Sequence, residues 1–243
     1  MQAWGLTDPG MVRNQNQDFY CIVKLGRDQL LTIVCDGMGG ARSGNIASKM
    51  AAELFVGEVQ RTARSNMKQD RIDDMLNSAL ELANKAVYEQ SLLSEEYKGM
   101  GTTLVAAFFQ KDTVTVANVG DSRAYLLNQS GVQNVTTDHS LVELMVQRGE
   151  LTREQAKNHP GKNLITRAVG TEQTVACDLF HHHLSKGDSF LLCSDGLSNV
   201  MSDQEILFEV IHGVNKSDCC QRLMSIANYR GSPDNVTVVL VVM

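Results

Sequence analysis

The chain is predicted to be an α+β protein built on largely antiparallel sheets, because strand-like runs come in blocks, helix-like stretches come in blocks, and the two do not alternate strictly. Strict alternation would have implied a parallel, doubly wound sheet. Short β-rich runs open the chain, and residues 29–35 (QLLTIVC) form an apolar run of strand length that ends at Asp36-Gly37. Helices are expected over residues 43 to about 64 and 69 to about 94. In the second, Ile72, Met75, Leu76, Ala79, Leu82, Ala83 and Ala86 recur at three and four, as in one half of an amphipathic pair. Residues 103–109, 113–119 and 123–127, separated by Gln-Lys-Asp and Gly-Asp-Ser, read as an antiparallel meander. Ser140 with Glu143, and Thr152 with Gln155, match the capping box and predict two short helices. A strand pair at about 175–181 and 189–193, helices at about 203–212 and 216–228, and a last strand at 236–243 complete the order.

Length and composition narrow the function. The 243 residues include only 3 Pro and no linker-like stretch, so one domain spanning 1–243 is expected, and 43% hydrophobic residues suffice for its core. A net charge of -6 with scattered basic residues argues against nucleic-acid binding. The longest apolar runs are strand-sized and the first ten residues lack the pattern of a signal peptide, which argues against a membrane role. The 6 Cys show no zinc spacing and several sit in apolar runs, as buried thiols of a reduced cytoplasm would. A monomer is expected.

The chemistry is carried by acids. Residues 32–37 (TIVCDG) and 190–196 (FLLCSDG) rhyme: each is an apolar strand that delivers an Asp, Asp36 or Asp195, followed by a Gly that leaves room for an ion or ligand. Asp121 sits in a tight turn, and Asp234 precedes the last strand. Each alone reads as an ordinary turn aspartate. If they converge, acids about 5 Å apart repel by roughly 3 kcal/mol at an effective dielectric of about 20, so the cluster needs cations. An all-oxygen ligand set favours Mg²⁺ or Mn²⁺ over zinc or copper. Arg13 lies in a polar stretch before a strand, and its planar guanidinium suits two phosphate oxygens.

These residues fall in ordered motifs: Arg13-x-x-Asn16-Gln17-Asp18, Asp36-Gly37-Met38-Gly39-Gly40, Gly101-Thr102-Thr103, Asn118-x-Gly120-Asp121-Ser122-Arg123, Asp138-His139-Ser140, Thr166-Arg167-Ala168-x-Gly170, Ser194-Asp195-Gly196-Leu197 and Asp234-Asn235-x-Thr237. The chain thereby resembles, from Asp8 to Thr237, the metal-dependent protein phosphatases of type 2C in their compact bacterial form. The resemblance implies a four-layer α-β-β-α sandwich with a metal cluster at one end of its two sheets, and a flap at about 139–171. It also implies a serine/threonine phosphatase acting on phosphorylated proteins and reversing a partner kinase. By the same resemblance Asp36 bridges two Mg²⁺ or Mn²⁺ ions, the Gly37 carbonyl helps hold the second, and Asp195 and Asp234 complete the first. Asp18 sits in or next to that shell, Asp121 with Asp195 holds a third ion, and Arg13 binds the substrate phosphate. Hydrolysis would occur in one step, by in-line attack of water activated between the two metals.

The chain departs from the pattern in places. Met38 stands where animal members often carry a His proposed as general acid, so a water or another group must protonate the leaving oxygen. Asn45 replaces a common acid and Ser232 a frequent Gly, without loss of a metal ligand. Because Asp36, Asp195 and Asp234 are all present, a non-catalytic binding module is disfavoured.

Competing motifs are weaker. Cys21 and Arg27 fit the C-x5-R spacing of cysteine-nucleophile phosphatases, but the stretch has one Gly and reads as strand rather than phosphate loop. The Gly37–Gly40 turn has its third glycine misplaced for a dinucleotide fingerprint. His181 and His183 would share one strand face, which permits a metal site, but Phe180 and Leu184 suggest an edge or surface strand. His159-Pro160 reads as a helix stop.

Overall fold

The computed structural model describes residues 1–39 and 43–243. Gly40, at the end of the Asp36–Gly40 motif, lies outside the described residues. Strands β1 (Gln2–Asp8), β2 (Asp18–Lys24) and β3 (Gln29–Met38) lead into helices α1 (Gly44–Thr62) and α2 (Gln69–Ser91). Strands β4 (Gly101–Thr102), β5 (Leu104–Gln110), β6 (Thr113–Val119), β7 (Arg123–Asn128) and β8 (Gly131–Asn134) come next, then the short helices α3 (Leu141–Gln147) and α4 (Arg153–Lys157). The chain closes with β9 (Asp178–His183), β10 (Ser189–Cys193), the one-turn α5 (Asp195–Ser198), α6 (Asp203–His212), α7 (Cys219–Tyr229) and β11 (Val236–Val242).

Two antiparallel sheets form, in the orders β1-β11-β10-β7-β8 and β2-β3-β5-β6-β9, with β4 paired to β3. Their central strands read as unbroken apolar runs because both faces are covered. On β3, Leu31, Ile33 and Cys35 pack with Ala47, Ala51 and Phe55 of α1 and with Leu76, Ala79, Leu80 and Ala83 of α2. The alternate residues Leu30 and Val34 turn the other way, into a core shared with Val105, Phe109, Phe190, Leu192, Val239 and Val241 between the sheets. On the outer face of the sheet that contains β10 and β11, Leu191, Cys193, Val238 and Leu240 meet Ile206, Val210, Leu223 and Met224 of α6 and α7. Three cores thus separate four layers, and the expected α-β-β-α sandwich is the observed architecture.

Two pairings differ from those expected. Residues 103–127 do not form one meander: β5 pairs with β6, but β7 leaves that sheet to pair with β10 and β8. The crossing is made at Gly120, whose φ of +107° is open to glycine, and a Cβ there would lie 2.6 Å from Thr103. Likewise β9 and β10 are not partners, since β9 pairs with β6 in one sheet and β10 lies in the other. In both cases the strand pattern is compatible with either neighbour, and what decides the pairing is which face each strand must bury. Smaller differences concern helices. The stretch beginning at Lys216 opens with a 3₁₀ turn (Lys216–Asp218) before α7, and Leu82 faces solvent while Leu80 and Val87 take the buried stripe of α2. Thr152 makes the full capping box, whereas Ser140 accepts from the Glu143 amide without the reciprocal bond.

Phe190 is fully buried between the sheets and meets Phe109 edge-on at 5.6 Å between ring centroids. Phe190→Ala is expected to destabilise the protein by about 3–5 kcal/mol, read as a lower urea midpoint with an unchanged denaturant slope. A loss below about 1 kcal/mol would mean that the two sheets do not share a close-packed core.

Candidate active site

Strand register brings the acids to one end of each sheet, and hydrogen bonds from Ser194 and Thr237 to Asp18 join the two ends. Asp18 begins β2 and lies opposite Asp36 near the end of β3. Asp8, the last residue of β1, lies opposite Val236, the first of β11, so Asp234 just before β11 reaches the same end. Cys193 ends β10 opposite Val238 and Arg123, which delivers Asp195 and the Gly120–Ser122 turn beside it. The sequence-predicted acids Asp18, Asp36, Asp121, Asp195 and Asp234 are therefore gathered in one place, with Asp195 as the first residue of α5 rather than a strand residue.

The polar groups around them act as a scaffold. Asn16 donates to the Thr7 hydroxyl at 2.8 Å, Thr7 pairs with Thr237 at 2.6 Å, and Thr237 donates to Asp18 Oδ2 at 2.7 Å. Ser194 donates to the same oxygen at 2.7 Å. The Asp36 backbone is pinned by Thr102 and Thr103, its N–H donating to Thr103 Oγ1 at 2.9 Å and its carbonyl accepting from the Thr103 amide at 2.8 Å and the Thr102 hydroxyl at 2.9 Å. Thr103 Oγ1 is 2.7 Å from Ser122 Oγ, which joins this strand end to the Asp121 turn. Asn235 stitches the Arg13 loop in place: its side chain accepts from the Gln17 amide and donates to the Pro9 and Gln15 carbonyls. Thr7, Thr103, Ser194 and Asn235 were given no role from sequence. The last three lay inside the recurring motifs, which was the available signal.

The glycines after the acids are required for a different reason from the one expected. A Cβ on Gly37 would lie 2.1 Å from the Gly44 carbonyl oxygen, and one on Gly196 would lie 1.9 Å from that of Asn235. Close backbone packing, rather than clearance for an incoming ion, excludes a side chain there.

The electrostatics are those of a site built for cations. Burial, partly offset by the Thr237 and Ser194 hydroxyls and reinforced by Asp195 and Asp234, pushes the Asp18 carboxyl up to about 7. Burial and the neighbouring Asp195 and Asp138 push Asp121 up to about 8. Asp36 is held well above the usual carboxylate range by burial and by Asp18, Asp195, Asp121 and Asp234. Asp195 is also raised, by burial and Asp234, although contact with Asp36 and Asn199 pulls it back. One buried oxygen on each of Asp18, Asp121 and Asp195 (Oδ1 in every case) has no hydrogen-bond partner among the described residues. Unsatisfied carboxylate oxygens in a shared low-dielectric site are hard ligands awaiting a charge, so the residues fit Mg²⁺ or Mn²⁺. Among the described residues no three His, Cys, Asp or Glu side chains are already closed around a point.

Arg13 lies at the mouth, more than half exposed, with its guanidinium 2.9 Å from Asp234. Cys21 sits on β2 and burial raises its thiol, the opposite of what a nucleophile needs. His181 pairs with Asp73 at 2.9 Å on β9, an edge strand, away from the acids. His159 accepts from the Gly161 amide at 3.0 Å just beyond α4.

A family model described as protein phosphatase 2C matches residues 12–224. The chain belongs to this family. A serine/threonine phosphatase of Listeria welshimeri is 37% identical over 241 residues, covering 99% of this chain and 95% of the relative. Protein phosphatase PhpP of Streptococcus pneumoniae is 37% identical, covering 98% and 96%. The solved structure of the S. agalactiae serine/threonine phosphatase superposes with a TM-score of 0.91 at 38% identity, over 98% of both chains. This phosphatase is thus an enzyme of a family that depends in general on Mg²⁺ or Mn²⁺, and among the described residues no helix is long and apolar enough to cross a membrane.

Because the raised acids of the phosphatase retain protons that the unfolded chain has already released, the metal-free fold loses stability as pH rises from about 4 through about 8. Cations that replace those protons should reverse the loss. The rise in melting temperature produced by Mn²⁺ is therefore expected to be larger at about pH 8 than at about pH 6, with protons released on binding. A metal-induced shift that is flat over this range would show that the acids do not hold the ion.

Proposed function

We propose that the gathered acids hold two core divalent cations and a third beside them for the hydrolysis of phosphoserine and phosphothreonine. The observation that carries this reading is the set of buried oxygens on Asp18, Asp121 and Asp195, at the shared end of the two sheets, that have no hydrogen-bond partner among the described residues. The enzyme is a protein serine/threonine phosphatase, and its substrates are phosphorylated proteins. Asp36, the Gly37 carbonyl, Asp195 and Asp234 would hold the core pair, with Asp18 behind them, and Asp121 with Asp195 the third ion. Ions held there would lower the pKa of water and neutralise the phosphate. Arg13, exposed at the mouth, would release Asp234 to the metal side and grip two phosphate oxygens, orienting the ester for in-line attack. We further propose that residues 1–243 act as one monomeric cytoplasmic phosphatase domain, that residues 139–171 form a flap beside the site, and that a serine/threonine kinase is the partner whose action is reversed.

With an all-oxygen site and thiols that are buried or, at Cys21 and Cys177, half-buried, chelation is expected to abolish phosphopeptide hydrolysis, Mn²⁺ or Mg²⁺ to restore it, and thiol alkylation of the native protein to leave it largely intact. An enzyme killed by alkylation and indifferent to chelators would move the chemistry to Cys21. Arg13→Ala should mainly raise KM without reducing bound metal, and kinetics equal to wild type would return Arg13 to the role of a surface residue paired with Asp234.

Asp121→Asn should lower turnover by about a hundredfold, the effect of losing roughly 3 kcal/mol of transition-state stabilisation, while leaving the core pair bound. Asp36→Asn should weaken both core ions. Metal titration alongside phosphopeptide kinetics separates the two, and a wild-type rate for Asp121→Asn would make it a turn aspartate.

A further inference from the structure

His139, the first residue of the segment read as the flap, is buried at 7% exposure and bonded on every polar atom. Its backbone N–H donates to the Gly120 carbonyl at 2.9 Å, and its ring Nδ1 accepts from the Gly120 N–H at 3.0 Å. The ring and backbone of one residue therefore grip the peptide groups on both sides of Gly120, which directly precedes Asp121. Gly120, with a φ of +107°, also stands where the chain leaves one sheet for the other.

The other ring nitrogen faces the flap stem. Nε2 is 3.2 Å from Asp178 Oδ2, and Arg167, on the returning leg of the flap, donates to Asp178 Oδ1 at 2.7 Å. A backbone N–H can only donate, so Nδ1 must be bare and the proton of a neutral ring must sit on Nε2, directed at Asp178. Arg167 Nη1 also lies 3.0 Å from Nε2, but with the proton on Nε2 it makes no bond to the ring and donates instead to Asp178 Oδ1 and to the Ala176 carbonyl, so that the Asp178 carboxylate takes one donor on each oxygen. Burial, aided by Arg167, keeps the imidazole below its ordinary range, in keeping with the neutral form. The two legs of the segment are joined at the same point, because the Thr166 amide donates to the His139 carbonyl at 2.8 Å.

We propose that His139, as its neutral Nε2–H tautomer, is a positioning residue that locks the Gly120–Asp121 turn to the stem of the flap and so sets the Asp121 carboxylate for its ion. This rests on the reading of Asp121 as a ligand of the third cation. His139 touches neither substrate nor metal in this role. It acts through the Gly120 peptide, and it makes the aim of Asp121 depend on how the flap stem is seated.

Ring ¹⁵N shifts of the wild-type protein, with His139 assigned by substitution, test the tautomer directly. They are expected to show a bare Nδ1 and a protonated Nε2, and a proton on Nδ1 would overturn the proposal. Two variants then separate the clamp from packing. His139→Asn keeps an acceptor near the Nδ1 position and should retain turnover within about threefold and wild-type Mn²⁺ loading. His139→Gln keeps reach toward Asp178 but withdraws that acceptor, and should lose about tenfold in kcat together with the weakest Mn²⁺ measured by equilibrium titration, while the tighter ions stay. Equal losses in the two variants would make His139 a packing residue only. A wild-type Asp121→Asn would overturn the third-ion reading, whereas the tautomer and the Asn-against-Gln difference test the clamp independently of it. If neither variant folds, the wild-type ring shifts still decide.

Discussion

Like charges drawn together and out of water are the constraint on which this structure depends. Carboxylates of this kind repel by roughly 3 kcal/mol per close pair and lose hydration as well, so no isolated loop would hold five of them together. The four-layer sandwich does so because each acid is attached to a strand end whose position is fixed by buried neighbours. Asp18 and Asp36 are cross-strand partners, and Asp234 and Asp195 flank strands that pair with each other. The free energy that offsets this repulsion is supplied by the three apolar cores, not by the site.

The site is also built asymmetrically, oxygen by oxygen. Asp18 spends one oxygen on two hydroxyls and leaves the other bare, and Asp195 spends one on Asn199 at 2.9 Å and leaves the other bare. The used oxygens fix orientation, and the bare ones define where positive charge is wanted. Arg13 sits outside this arrangement, exposed and paired with Asp234, a placement that would suit the proposed exchange of one anionic partner for another. Met38, at the end of β3, supplies no proton, so the leaving oxygen must be protonated by something other than a side chain at this position.

Much of the fold was legible because burial on both faces leaves long apolar runs, and amphipathic periodicity marks helices such as α2 clearly. Pairing was less legible. The runs 103–109, 113–119 and 123–127 each carry the pattern of a strand, and each is one, but the third belongs to the other sheet. A Gly-Asp-Ser turn between two strands looks the same whether it closes a hairpin or crosses a sandwich. The glycines after Asp36 and Asp195 were recognised as necessary while their reason was misread, since the carbonyls that forbid a Cβ come from residues 7 and 39 positions further along the chain.

The sequence by itself singled out the acids that the fold gathers, the oxygen-only character of that set, the helices and strands, and the family, because these are properties of residue types at fixed spacing. Only the tertiary structure decided that Asp121 stands at a crossing between sheets, that Thr7, Thr103, Ser194 and Asn235 hold the cluster, and that His139 grips the peptides around Gly120. Those relations join residues separated by 19 to 230 positions. Spacing carries no information about such pairs, since a hydrogen bond or a shared desolvated volume exists only after the cores have brought the strand ends together.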